Sequence, residues 1–148
     1  MLLETLKQDL IASLKKGDKT RTETLRFLLA AVQNAAIAKY GNAAEKSVQE
    51  EDVLGVIRKQ IKTHNESIEA FRKGNRSDLV QREQAQLAIL EAYMPKQASD
   101  EELIKLLRPV VASGESNFGL LMGQAMKATA GKADGTRISA LLKQLTSV

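Results

Sequence analysis

The chain has 148 residues, 43% of them hydrophobic and 27% charged, enough to bury a core and unlike a disordered composition. Cysteine is absent, which excludes disulfides, thiolate nucleophiles and Cys-based metal sites. A formal net charge of +4 and a pI near 9.4 permit an anionic partner without demanding one. No apolar run approaches the roughly 18 residues of a membrane span, and Met1-Leu2-Leu3-Glu4 lacks the basic region and small-residue cleavage site of a secretory signal. These features lead us to expect a cytoplasmic protein.

Apolar spacing is helical nearly throughout, with no convincing alternation of period two, so the fold class expected is all-α. Leu3, Leu6, Leu10 and Leu14 stripe a first helix that Gly17 can end in a left-handed turn. Asp18 is a candidate N-cap for a second, with Leu25, Leu28, Leu29, Val32 and Ala36 on one face and a break at Tyr40-Gly41-Asn42. Ser47-Val48-Gln49-Glu50 reads as a capping box. The long helix behind it carries Leu54, Ile57, Ile61, His64, Ile68 and Phe71 as a narrow seam and stops at Gly74. Asn75 or Ser77 opens a fourth helix striped by Leu79, Leu87, Leu90 and Met94.

Pro95-Lys96-Gln97-Ala98 is the domain boundary expected, because proline disfavours helix in the residue before it. The organisation read is a helical N-terminal part, 1–94, of four helices, and a small three-helix part, 95–148. In the second part Ser99-Asp100-Glu101-Glu102 is a capping box for a helix through Leu103, Leu106 and Val110, ended by Gly114. A sixth helix spans about Phe118 to Thr129 and a seventh about Gly135 to Thr146.

Chemistry is sparse. His64 is the lone histidine and lies in an apolar seam, which reads as a hydrogen-bonded core residue. Without cysteine or a second histidine, no metal site is expected, and neither a Gly-x-Ser-x-Gly elbow nor a phosphate-cradling Gly-x-x-x-x-Gly-Lys-Ser/Thr loop is present. No cofactor and no catalytic set are expected. Arg58 with Lys62, and Arg72, Lys73 and Arg76, make basic patches that a solvated face and a charge-complemented helix end explain.

The informative stretch is residues 117–135. Phe118, Leu121, Met122, Ala125 and Met126 share a helical face and should be core, whereas Gly119 and Gly123 fall on an adjacent stripe ending at Lys127. A mid-helix glycine costs about 1 kcal/mol against alanine, so something should approach this backbone closely. A neighbouring helix of the same domain is one reading; a bare surface for a partner or an RNA backbone is the other. Lys127, Lys132 and Arg137 gather around the start of the last helix, where free amides suit a phosphate, yet Asp134 is a natural cap for those same amides. With 3% aromatics, a stacking platform is not expected, so any RNA target would be a folded shape and its backbone.

Leu121-Met122-Gly123-Gln124-Ala125-Met126-Lys127, then Gly131-Lys132-Ala133-Asp134, then Ile138 with Leu141, Leu142 and Leu145 resemble the GatB/YqeY tail that ends the B subunit of the glutamyl-/aspartyl-tRNA amidotransferase. Upstream, Arg76-Ser77-Asp78-Leu79-Val80, Glu83 and Leu90-Glu91-Ala92-Tyr93-Met94-Pro95-Lys96-Gln97 look like the stand-alone YqeY-like proteins, so the resemblance covers nearly the whole chain. It implies an all-helical two-part fold, a GatB/YqeY tail domain over 95–148, and a translation-related accessory role in tRNA-dependent amidation. The partner implied is tRNA or the tRNA-charging amidotransferase complex, met through Gly123, Lys127, Lys132 and Arg137. The large part of the B subunit that activates the tRNA-linked carboxylate is missing. The family's chemistry, a carbon–nitrogen ligase with glutamine as amide donor, is therefore not supplied by these residues. Ala128-Thr129-Ala130 stands where family tails often carry a further basic residue. The alternative is a helical protein–protein adaptor that binds no RNA.

Overall fold

The computed structural model describes residues 1–147, and among them only helices and turns occur: the protein is all-α. In chain order the elements are α1 (Leu2–Lys16), α2 (Lys19–Tyr40), a 3-10 turn at Gly41–Ala43, the one-turn α3 (Ala44–Ser47), α4 (Glu50–Lys73), α5 (Ser77–Glu91), α6 (Asp100–Val111), α7 (Phe118–Thr129) and α8 (Gly135–Thr146). The chain divides into two compact units, Met1–Met94 and Pro95–Val148.

In the first unit the helix ends follow local chemistry. Gly17 takes the left-handed conformation after α1 (φ 71°), and Asp18 caps α2 by accepting from the Arg21 amide at 3.1 Å. The Ser47 capping box does not form. Ser47 closes α3, and α4 starts three residues later at Glu50, with Gln49 and Asp52 as the reciprocal pair. Asp52 wins because its carboxylate also takes hydrogen bonds from Lys39 Nζ (2.6 Å) and Tyr40 Oη (2.7 Å), fastening the end of α2 to the start of α4. These bonds, led by that from Lys39 and then by the Gln49 amide, hold the Asp52 carboxyl down to about 2. After α4 the left-handed residue is Asn75 (φ 57°), not Gly74.

Leu6, Leu25, Leu28, Val32, Val53, Ile57 and Leu90 form the first core, joining α1, α2, α4 and α5. At the far end of α2, Ser13 and Thr22 share a buried hydroxyl pair at 2.9 Å, and each hydroxyl also bonds to a carbonyl in its own turn. Tyr93, just beyond α5, reaches Asp9 of α1 and Arg21 of α2.

The second unit is built on Leu103, Leu107, Val110, Leu121, Ala125, Ile138, Leu141 and Leu142, with Ala98 and Ala133 from its loops. Leu107 rather than Leu106 is the fully buried partner of Leu103 on α6. Ser99 caps α6 at the Glu102 amide (3.2 Å) and Asp134 caps α8 at the Arg137 amide (2.8 Å).

Candidate nucleic-acid interface

Within the second unit, α7 buries Leu121, Ala125 and Thr129, spaced four apart, against α6 and α8. Leu120, Gly123, Gln124 and Lys127, spaced as i, i+3, i+4 and i+7, run along its outer side and are all exposed. The two glycines of this helix have different causes. Gly119 donates to its own N-cap, Asn117 Oδ1, at 2.9 Å, and an added Cβ would lie 3.3 Å from that oxygen. Around Gly123 an added Cβ would meet nothing within 4 Å. A neighbouring helix of the same unit therefore does not account for Gly123; its backbone faces open space.

Phe118 departs from the core expected of it. It is 40% exposed, with Lys143 Nζ 5.9 Å from the ring centroid. It is the first residue of α7, where side chains lean towards the helix N-terminus and so beyond the packed turns. Leu120, on the outer stripe, is 58% exposed.

Past α7 the chain turns through two successive left-handed residues, Ala130 (φ 45°) and Gly131 (φ 78°). This reversal drives Ala133 into the core and holds the backbone of Lys132 from both sides. The Lys132 amide donates to the Thr129 carbonyl and its carbonyl accepts from the Ala98 amide, both at 2.9 Å. The Lys132 side chain is left exposed on a fixed backbone.

Of the four residues singled out in the sequence, Gly123, Lys127 and Lys132 face outwards. Among the described residues, no carboxylate lies within salt-bridge distance of either lysine. Arg137 is differently placed. Its guanidinium grips Asp100 at the start of α6 through Nη2 (2.6 Å) and Nε (3.1 Å), a bond between two helix starts. With Asp134 already on the Arg137 amide, the N-terminus of α8 is served by the protein's own carboxylate.

In the first unit, the basic patches are largely paired: Arg58 with Glu51, Arg76 with Asp78 and Lys73 with Glu69. His64 is part-buried and its Nδ1 is bonded to Glu83 of α5. Among the described residues no three metal-ligating side chains converge. Sequence reasoning missed an open groove of about 870 Å³ between α2, α4 and α5, because its lining is dispersed over three helices with no local motif.

A family model described as "Yqey-like protein" matches residues 3–146. Among curated relatives, "Altered inheritance of mitochondria protein 41, mitochondrial" of Pyrenophora tritici-repentis is 30% identical over 138 residues, covering 90% of this chain and 74% of that protein. The protein of the same name from Eremothecium gossypii is 36% identical over 103 residues, 68% of this chain and 54% of its own length. "Uncharacterized protein C22F3.15" of Schizosaccharomyces pombe is 33% identical over 100 residues, 67% of this chain and 76% of that one. The mitochondrial names overturn the cytoplasmic expectation. Cysteine content and hydropathy constrain a protein's chemistry; they do not encode its address.

Proposed function

The chain belongs to the Yqey-like protein family, and on that premise we propose that it is an accessory protein of tRNA-dependent amidation. In this reading its second unit binds tRNA or the tRNA-charging complex and does not itself catalyse the reaction. One observation carries it. The outer stripe of α7 runs past the uncovered backbone of Gly123 to Lys127, and Lys132 stands on a fixed backbone in the turn that follows, neither lysine neutralised by a carboxylate among the described residues. A bare helical backbone with nearby cations suits a phosphate backbone of fixed shape, where each contact releases counterions.

Arg137 plays a supporting part in this reading: bonded to Asp100, it keeps α8 and α6 in register beneath the loop that bears Lys132. The test is a titration of folded tRNA over a range of salt, with wild type and the Lys127→Ala/Lys132→Ala pair. The reading expects weaker binding and a flatter salt dependence in the variant; identical curves would overturn it.

A second reading, a docking surface for a protein of the charging complex, is favoured by Leu120 and Phe118, exposed at one end of the same helix. Retention of a protein partner after nuclease treatment, lost in Leu120→Lys, with no affinity for naked tRNA, would select it.

A further inference from the structure

The groove of the first unit is chemically distinct from the surface above. Its walls follow α2 from Glu23 to Ala35 and α4 from Val56 to Ser67, with α5 entering at one end, so it extends for about 16 Å along the helices. The end of α2 and the start of α4 are tied together by Lys39, Tyr40 and Asp52 at one extremity. Near the other, Arg82 of α5 meets Glu23 of α2 at 3.7 Å.

Three features of its lining stand out. Phe27 is 69% exposed, an unusual position for a phenyl ring in a chain with three phenylalanines. Asn34, Gln60 and Gln86 bring three side-chain amides to the groove, and none has a hydrogen-bond partner among the described residues. The charges are mostly spent internally, Glu23 on Arg82 and Glu83 on His64, which leaves Lys59 as the cation on the wall with no partner among the described residues.

We propose that this groove binds a single adenine nucleotide, either free or as an unpaired nucleotide of an RNA strand. The exposed ring of Phe27 offers the face on which a base stacks. A side-chain amide gives one donor and one acceptor side by side, the pattern that pairs with N6 and N7 of adenine. Lys59 supplies the charge for a phosphate. Glu83 engages His64 Nδ1, which leaves the other ring nitrogen to hydrogen-bond a ribose hydroxyl. The cavity, about 870 Å³, lies within the range of small-molecule sites. The site stands on the first unit alone and does not depend on the reading given for the second.

The experiment is an amide NMR titration of the whole chain with adenosine monophosphate, repeated with uridine monophosphate, with a short single-stranded oligoadenylate and with an acidic amphipathic peptide. Saturable shifts confined to α2, α4 and α5 are expected with adenosine monophosphate, with uridine monophosphate weaker. Phe27→Ala and Gln60→Ala should each weaken binding about tenfold. Phe27→Ala removes an exposed ring, so the fold should survive, and Lys59→Gln gives an independent check through the loss of phosphate dependence. Tighter binding of the oligoadenylate than of the mononucleotide would identify an RNA strand as the source; equal affinity would identify the free nucleotide. No saturation into the millimolar range, shifts indifferent to Phe27→Ala, or binding of the peptide in place of the nucleotide would each overturn the proposal.

Discussion

Tyr93 donates its phenolic hydrogen to Asp9 Oδ2 at 2.5 Å, bridging a turn beyond α5 to the middle of α1. The phenolic oxygen itself accepts from Arg21 Nη2 of α2 at 2.8 Å, and the Arg21 guanidinium lies 5.8 Å from the ring centroid. The turn after α5 is thus joined at one oxygen to the first two helices, 72 and 84 positions back in the chain. Burial, reinforced by the hydrogen bond to Asp9, pushes the phenol up to about 12.

Tyr93→Phe should therefore lower stability by about 1 kcal/mol, seen as a fall of several degrees in Tm. The pH dependence has a definite sign. The unfolded phenol ionises near its ordinary value of 10.0 and the folded one near 12, so this contribution is complete below the first and lost as pH rises through the second. Wild type should lose stability across that window in chemical denaturation, and Tyr93→Phe should lose less.

Acid acts at the other end of the same unit. The Asp52 carboxyl is held to about 2 against an ordinary value of 3.8, so its contribution is present above the higher value and fades as pH falls through the lower one. Asp52→Asn keeps the shape but not the charge. It should cost about 1 kcal/mol near neutrality and remove part of the acid-induced loss between those two values, measured by circular dichroism.

Gly123 separates stability from binding. Because an added Cβ meets open space, Gly123→Ala should raise helix stability by about 1 kcal/mol, while at Gly119 the crowded cap oxygen should erase most of that gain. If α7 presents its backbone to tRNA, the stabilised Gly123→Ala protein should bind more weakly than wild type in a filter-binding assay. Unchanged affinity would count against that face.

The basic residues should part company in the same assay. Losing Lys127 or Lys132 is expected to reduce the slope of log affinity against log salt by about one each, with Tm unaltered. Arg137→Ala is expected to do the reverse, lowering Tm through the lost grip on Asp100 and changing the slope little.

What could be read from the sequence was whatever is decided within a few residues. The caps at Asp18, Ser99 and Asp134, the left-handed Gly17 and the apolar stripes of the long helices all belong to that class. The errors share a different cause. Ser47 lost to Gln49 because Lys39 and Tyr40 rewarded Asp52 across a turn, and Phe118 left the core because a helix's first residue overhangs the packed turns. The Arg137–Asp100 pair spans 37 positions and has no local signature. The cytoplasmic expectation failed for a reason outside folding altogether.

Ala98 sits two residues ahead of α6, yet it is 4% exposed, fills a slot in the second core, and donates a hydrogen bond that steadies the Lys132 carbonyl. The shortest length of chain able to present that lysine correctly therefore starts before the first helix of its unit. A fragment trimmed to Ser99 would retain all three helices and still hold its basic loop loosely. In hydrogen exchange the Ala98 amide, outside any helix, should be as slow as amides within one.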